Sequence, residues 1–205
     1  MRPTRHLVIF AKAPLLGQVK RRLAGGIGTV AALHFYRSTL TELIRRLGRD
    51  RRWKCWLAIT PDRMARPGLS WGRGLPVLPQ GAGDLGARMA RVPRRLPSGP
   101  AIIIGSDIPA IESAHVARAF VLLKGHDAVF GPAADGGYWL VGLHNRRLPF
   151  GLYGGVRWST ADALADTLAS LPSRWRIARC DTLHDIDDAD DLAAWRERKR
   201  PHPLG

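Results

Sequence analysis

The chain has 205 residues, 45% of them hydrophobic, which is enough for one full core, and it has no apolar stretch of the roughly 18 residues that would cross a membrane. Its formal charge of +15 raises the question of nucleic acid, but the arginines run through every segment without a nucleic-acid-binding motif or interleaved aromatics. The charge therefore reads as a solvated surface that also favours an anionic substrate, and a nucleic-acid partner is not expected.

The start, Met-Arg-Pro-Thr-Arg-His, leads into an apolar run too short for the core of a signal peptide, so residues 6–11 read as a first strand. Cys55 and Cys180 lack metal-type spacing and read as reduced, buried thiols, which makes a cytoplasmic protein the expectation. The loop from Lys12 to Leu23 holds Gly17 and four cations, Lys12, Lys20, Arg21 and Arg22. Such a loop after a first strand either brings ammonium and guanidinium groups to a phosphate or is a basic surface loop. It lacks the spacing of a Walker loop. Lys20 and Arg22 are preferred over Arg21 because alternate positions point the same way in an extended loop.

Gly25, Gly26 and Gly28 then break the chain, and Thr29 caps a helix whose stripe is Leu33, Tyr36, Leu40, Leu43 and Leu47, closed by Gly48. Residues 53–60 read as strand two, 61–74 as a connecting loop and 76–79 as a short third strand. In Gln80-Gly-Ala-Gly-Asp84-Leu-Gly-Ala-Arg88-Met the glycines open the backbone at the entry to a helix, whose amino end attracts anions. Asp84 on its own reads better as an N-cap, with Arg88 one turn later within reach of a ligand.

Ala101-Ile-Ile-Ile104 is the most apolar run and reads as a central strand buried on both faces. Gly105, Asp107 and Pro109 stop it. A lone acid just past a central parallel strand sits where open α/β sheets bind ligands, so Asp107 is either a ligand for a hard cation or a turn-forming acid. Ser113 caps a helix to about Lys124, and residues 127–132 form another strand. Asp135-Gly-Gly137 is a turn signal before a strand to Leu143, and also a candidate floor under a sugar or acceptor. Ser159 and Asp162 have capping-box-like spacing before a helix with the stripe Ala161, Leu164, Ala165, Leu168 and Leu171. Trp158 either stacks on a ligand or packs in the core. Residues 174–179 read as a last strand. In the acidic cluster that follows, Asp188, Asp190 and Asp191 suit the amino end of a final helix, while Asp185 and Asp187 remain open as cation ligands.

With these residues in place the chain resembles the bacterial family of glycosyltransferase-A-like proteins of largely unknown function, within the nucleotide-diphospho-sugar transferase superfamily. The matching stretches are residues 10–23, 80–89, 105–109, 135–143, 158–160 and 185–192. More distantly it is similar to the molybdenum-cofactor and phospholactate guanylyltransferases. Three departures stand out. The family pattern Lys-Thr-Arg-Leu is Lys20-Arg21-Arg22-Leu23 here, its acid at position 87 is Ala87, and the Asp-x-Asp signature of many metal-dependent glycosyltransferases is missing because position 105 is Gly.

The resemblance implies one three-layer α/β/α domain with a mainly parallel sheet over residues 1–196, with 197–205 as a basic tail. It implies a nucleotide or nucleotide sugar at Ala11, Lys12, Gly17, Lys20, Arg22, Gln80, Gly81, Asp84, Arg88 and Ser106. Asp107, with Asp185 or Asp187, would hold Mg²⁺ or Mn²⁺. Lys20 and Arg22 would stabilise the leaving group, and Asp135 would orient or deprotonate a small-molecule acceptor seated near Gly136, Gly137, Tyr138 and Trp158. Glycosyl transfer is the leading expectation. Nucleotidyl transfer to a phosphorylated acceptor and non-catalytic nucleotide binding are the alternatives.

Overall fold

In the computed structural model, which describes residues 4–69 and 71–199, the first apolar run becomes β1 (His6–Lys12). It pairs in parallel with β2 (Lys54–Thr60), whose outer edge takes β3 (Val77–Pro79). The other edge of β1 takes β4 (Pro100–Ile104), again in parallel. The isoleucine run is central, as its composition requires. Ala101 and Ile103 join the core on one face of the sheet while Ile102 and Ile104 join the core on the other, so no face of β4 meets water.

Beyond β4 the sheet continues with an antiparallel insertion. β5 (Ala128–Pro132) and β6 (Tyr138–His144) form a hairpin, and β6 runs antiparallel to β4. β7 (Ile177–Arg179) lies parallel to β5 and completes the order β3-β2-β1-β4-β6-β5-β7. The mainly parallel sheet read from the sequence is the one observed.

Helices cover both faces. α1 (Arg21–Ile27) and α2 (Thr29–Leu47) follow β1, α3 (Leu85–Arg94) follows β3, and α4 (Ser113–Leu122) follows β4. α5 (Ala163–Ala169) precedes β7, and α6 (Ala189–Lys199) closes the described chain. Tyr36, Leu40, Leu43, Ile44 and Leu47 of α2 pack with Val116, Ala119 and Phe120 of α4 on one face. Met89 and Val92 of α3 pack with Leu171 after α5 on the other. A third, small cluster of Leu23, Ala32, Ile186 and Leu192 clamps α1 and α2 to α6. No described helix is long and apolar enough to cross a membrane.

Several local expectations are corrected. Gly25 and Gly26 do not break the chain but lie inside α1, and the stop comes at Gly28, whose φ is 86°. Gly28 rather than Thr29 occupies the N-cap of α2. Ser113 is the first residue of α4; the cap is Glu112, joined to His115 in a reciprocal capping box. Ser159 caps nothing, since α5 starts after Asp162. The last strand begins at Ile177 rather than residue 174. α6 runs through Lys199, so the first three residues assigned to the tail are helical, and 200–205 lie outside the described residues.

Candidate active site at the carboxyl ends of the central strands

Because β1, β2, β3 and β4 are parallel, their carboxyl ends meet at one edge of the sheet. Tyr36 of α2 stitches that edge together. Its hydroxyl donates to the Lys12 carbonyl (2.9 Å), accepts from the Lys12 N–H (3.0 Å) and lies 3.2 Å from Ser106 Oγ. Ser106 Oγ in turn donates to Asp107 Oδ1 at 3.1 Å. Burial first, and the Asp107 charge second, push the Tyr36 phenol above its ordinary pKa, so it stays a neutral donor.

From Asp107 the network continues through Lys20, the N-cap residue of α1, held in the left-handed region at φ 48°. Its Nζ lies 2.9 Å from Asp107 Oδ2 and 2.8 Å from Asp187 Oδ1, with only 4% of the side chain exposed. Arg22 Nη2 pairs with the other oxygen of Asp187. Burial alone would lower the Lys20 pKa, but Asp107 and Asp187 hold it above its ordinary value. Burial likewise would raise Asp187, and Lys20 and Arg22 hold it below. The Lys20 ammonium and the Asp187 carboxylate are therefore both charged at neutral pH. Lys20 and Arg22 share a partner, but not for the expected reason: the segment is a helix start and not an extended loop.

The acidic cluster divides as its spacing suggests. Asp188 Oδ1 accepts from the N–H groups of Asp190 (3.1 Å) and Asp191 (3.0 Å) at the start of α6. Asp191 Oδ2 accepts from the N–H groups of Asp187 (2.9 Å) and Asp188 (3.2 Å), which fixes the backbone that presents Asp187. Asp185 is raised by burial and then by the neighbouring Asp187 and Asp135 charges.

Two cavities meet at Asp107. The first, of about 270 Å³, is lined by Ala11, Lys12, Lys20, Gln80, Arg88 and Ser106, together with Tyr36 and Thr60. The second, of about 250 Å³, is lined by Asp107, Asp135, Gly137, Tyr138, Trp158 and Asp185. Leu85, Gly105, Asp107, Tyr138 and Trp139 belong to both. Thus seven of the expected nucleotide and metal residues share one wall. Asp185 lines the second cavity, and Gly17, Arg22, Gly81, Asp84, Asp187 and, on the expected acceptor side, Gly136 line neither.

The reasons are local. Asp84 is the N-cap of α3, its carboxylate accepting from the Ala87 N–H at 2.7 Å. The Gly81 N–H donates to Asp62 Oδ1 at 3.0 Å. Gln80 is 1% exposed, and its amide nitrogen donates to the Ala11 and Ala58 carbonyls while its oxygen accepts from Arg88, so it braces β1 and β2 against α3. On the side where an acceptor was expected, Gly136 does not make room for a ring: a Cβ there would lie 2.1 Å from the Ala161 carbonyl oxygen, at φ +86°. It is glycine so that the loop ahead of α5 can close onto the hairpin. The Asp135 Oδ1 accepts from the Gly137 N–H at 2.9 Å, the turn chemistry its sequence promised, while Asp135 also lines the second cavity. Tyr36 is the residue of this edge that the sequence hid, because it sits in register with the apolar stripe of α2.

Among the described residues no group of three or more His, Cys, Asp or Glu side chains is drawn together as a ready ion cage. The donor set nevertheless suits a hard cation. Asp107 and Asp187 present oxygens at 2.9 and 2.8 Å from a single cationic atom between them, with Asp185 near Asp187. A larger groove of about 880 Å³ runs along α2 beside Phe35 and Trp195, but it contains none of the expected site residues.

The family model for uncharacterized proteins conserved in bacteria (DUF2064) matches residues 43–160. A search of curated proteins returns no match. Among solved structures, one from Desulfovibrio desulfuricans G20, proposed to be a nucleotide-diphospho-sugar transferase, superposes with a TM-score of 0.82 at 26% identity, over 96% of this chain and 88% of that one. The 4-diphosphocytidyl-2C-methyl-D-erythritol synthase of Anaerococcus prevotii DSM 20548 has a TM-score of 0.60 at 11% identity, over 97% of both chains. Rv0371c of Mycobacterium tuberculosis H37Rv, solved in complex with manganese, has a TM-score of 0.54 at 15% identity, over 96% of this chain and 100% of that one. The last two likenesses are of fold.

Proposed function

The chain belongs to the bacterial family DUF2064, and we propose that it is a transferase that moves a sugar from a nucleotide-activated donor to a small acceptor, using Mg²⁺ or Mn²⁺. The observation that carries this reading is the Lys20 ammonium held between Asp107 and Asp187 at the strand ends, where a cation-lined cavity meets an acidic one. The likeness to the Desulfovibrio desulfuricans protein supports it.

The first cavity offers Lys12, Lys20 and Arg88 to the diphosphate of a donor. Lys20 turns from its carboxylates to the phosphates as the donor enters, and stabilises the charge that develops on the leaving diphosphate. Arg22 backs the site by holding Asp187. Asp107 and Asp187, with Asp185, would hold the ion, which when bound would neutralise diphosphate charge. Ser106 and Tyr36 fix the orientation of Asp107. In the second cavity Asp135 takes the acceptor's proton. The acceptor oxygen bonds to the anomeric carbon, the bond from that carbon to the diphosphate oxygen breaks, and the nucleoside diphosphate leaves with the electron pair.

The test is release of nucleoside diphosphate, with matching sugar transfer, across a panel of nucleotide sugars and acceptors. Asp135→Asn is expected to lower kcat by about 100-fold or more while leaving donor binding intact. Pyrophosphate release from a nucleoside triphosphate would assign nucleotidyl transfer instead. Nucleotide binding without turnover on any donor would leave a binding protein.

A further inference from the structure

We propose that the second cavity selects a hydroxyl-bearing ring compound without phosphate or carboxylate, and prefers a cationic one, such as an amino sugar, over its neutral counterpart. Calling that compound the acceptor rests on the transferase reading above; the binding itself does not.

The two cavities share a wall but have opposite charge. The first is lined by Lys12, Lys20 and Arg88 against the single acid Asp107. The second is lined by Asp107, Asp135 and Asp185, with no Lys, Arg or His in its lining. The cations nearest by sequence or contact are committed elsewhere. Arg157, next to Trp158, is paired with Asp162 at 2.8 Å and Asp166 at 2.8 Å. Arg22 is paired with Asp187, and Lys20 meets Asp107 from the side of the first cavity.

A phosphorylated ligand would therefore bring a dianion against Asp135 and Asp185, and against an Asp107 already paired with Lys20, with no cation in the lining to meet it. A divalent ion held by Asp107, Asp187 and Asp185 does not change this, because the diphosphate of the donor is there to match its charge. The larger apolar walls are Leu85, Ile108, Tyr138, Trp139 and Trp158, with the neutral polar residues Ser159 and Thr160 beside them. Such a surface takes the apolar face of a ring, while carboxylates take its hydroxyls or an ammonium. Trp158 is fixed for this role by edge-on contacts with Tyr138 (6.4 Å) and Tyr153 (5.9 Å). Tyr138 in turn accepts a hydrogen bond from Thr167 at 3.3 Å.

The experiment is an NMR titration of the full chain with ¹⁵N-labelled tryptophan, reading the Trp158 indole, identified by its loss in Trp158→Phe. Glucosamine, glucose and glucose 6-phosphate present one ring with three charges. Glucosamine is expected to shift the Trp158 indole with saturation, and glucose to do so about tenfold more weakly. Glucose 6-phosphate is expected to leave that indole unmoved, whatever it does at the first cavity. Raising the salt should narrow the gap between glucosamine and glucose, as should Asp135→Asn combined with Asp185→Asn. The salt series uses the parent chain, so a variant that fails to fold does not remove the test. The proposal is overturned if glucose 6-phosphate moves the Trp158 indole as strongly as glucose, if glucosamine has no advantage, or if none of the three moves it. The titration needs neither nucleotide nor turnover. A chain that binds glucosamine here but transfers no sugar loses the transferase reading alone, and one that glycosylates a phosphorylated acceptor loses this proposal alone.

Discussion

Lys20 bears two loads, and removing it should reveal both. In Lys20→Ala, Asp107 and Asp187 lose their shared cation, a pair in which the lysine side chain is 4% exposed and the carboxylates 46% and 31%. With that exposure discounted, the cost is about 1–2 kcal/mol, or roughly 2–8 °C in Tm, measurable by calorimetry. Binding of nucleoside diphosphates should weaken by about 10–100-fold, the worth of a charge-assisted contact, while binding of the bare nucleoside holds. The acid limb of stability should flatten too. Asp187 is held low in the fold, so it adds stability above the unfolded carboxylate pKa of about 3.9 and loses it as pH falls through the lower folded value. The two thiols make a separate prediction. Burial pushes Cys55 up to about 12, and burial with Asp181 nearby pushes Cys180 up to about 11. Mass spectrometry should find neither alkylated by iodoacetamide in the native protein at pH 8, and both alkylated once it is denatured. At this scale the sequence marked its candidates by different signs: Asp107 and Asp135 lie within two residues of a glycine after a strand, Lys20 lies in a basic loop after the first strand, and Asp185 and Asp187 open an acidic cluster near the end of the chain. Tyr36 was not marked, because a hydroxyl on an apolar stripe looks like any other core aromatic.

The clamp between α1 and α6 is what brings residues 20–22 to Asp187, and it depends on one missing methyl group. A Cβ on Gly26 would lie 2.6 Å from the Cβ of Ala189, whereas one on Gly25 would have no atom within 4 Å. The neighbouring glycines should therefore respond with opposite signs to alanine. Gly25→Ala gains helix propensity and is expected to stabilise by about 0.5–1 kcal/mol. Gly26→Ala has the same gain but must push α6 aside at a cost of about 1–3 kcal/mol, so it is expected to destabilise and to weaken nucleotide binding as Asp187 moves from Lys20. Denaturant midpoints and nucleotide titrations check both. α1 escaped the sequence reading because paired glycines carry a breaking signal that only the tertiary contact with α6 overrides. The strands β1, β2 and β4 did not escape, since short apolar runs of that length, with three consecutive isoleucines in β4, read as buried strands.

At the scale of the whole molecule, the alternation of strands and helices made the layered α/β architecture legible, and the turn between β5 and β6 was marked by Asp135-Gly-Gly137, while their antiparallel pairing was not read from it. What composition could not show is how +15 of net charge is arranged. The long-range approach of α6 gathers a scarce set of acids at the strand ends, and that meeting depends on packing between residues more than 160 positions apart. The central claim is that this meeting point binds a nucleotide together with a divalent ion. Thermal unfolding of parent and Asp107→Asn, with nucleoside diphosphates and Mn²⁺ separately and together, tests it most directly. A ligand that binds only the native state raises stability by about 2.7 kcal/mol at a hundredfold excess over Kd. The parent should show a larger rise with both ligands than the sum of the two alone, and Asp107→Asn, folded and of similar basal Tm, should lose that excess. No shift of the parent with any nucleotide, or the full excess retained in Asp107→Asn, would contradict it.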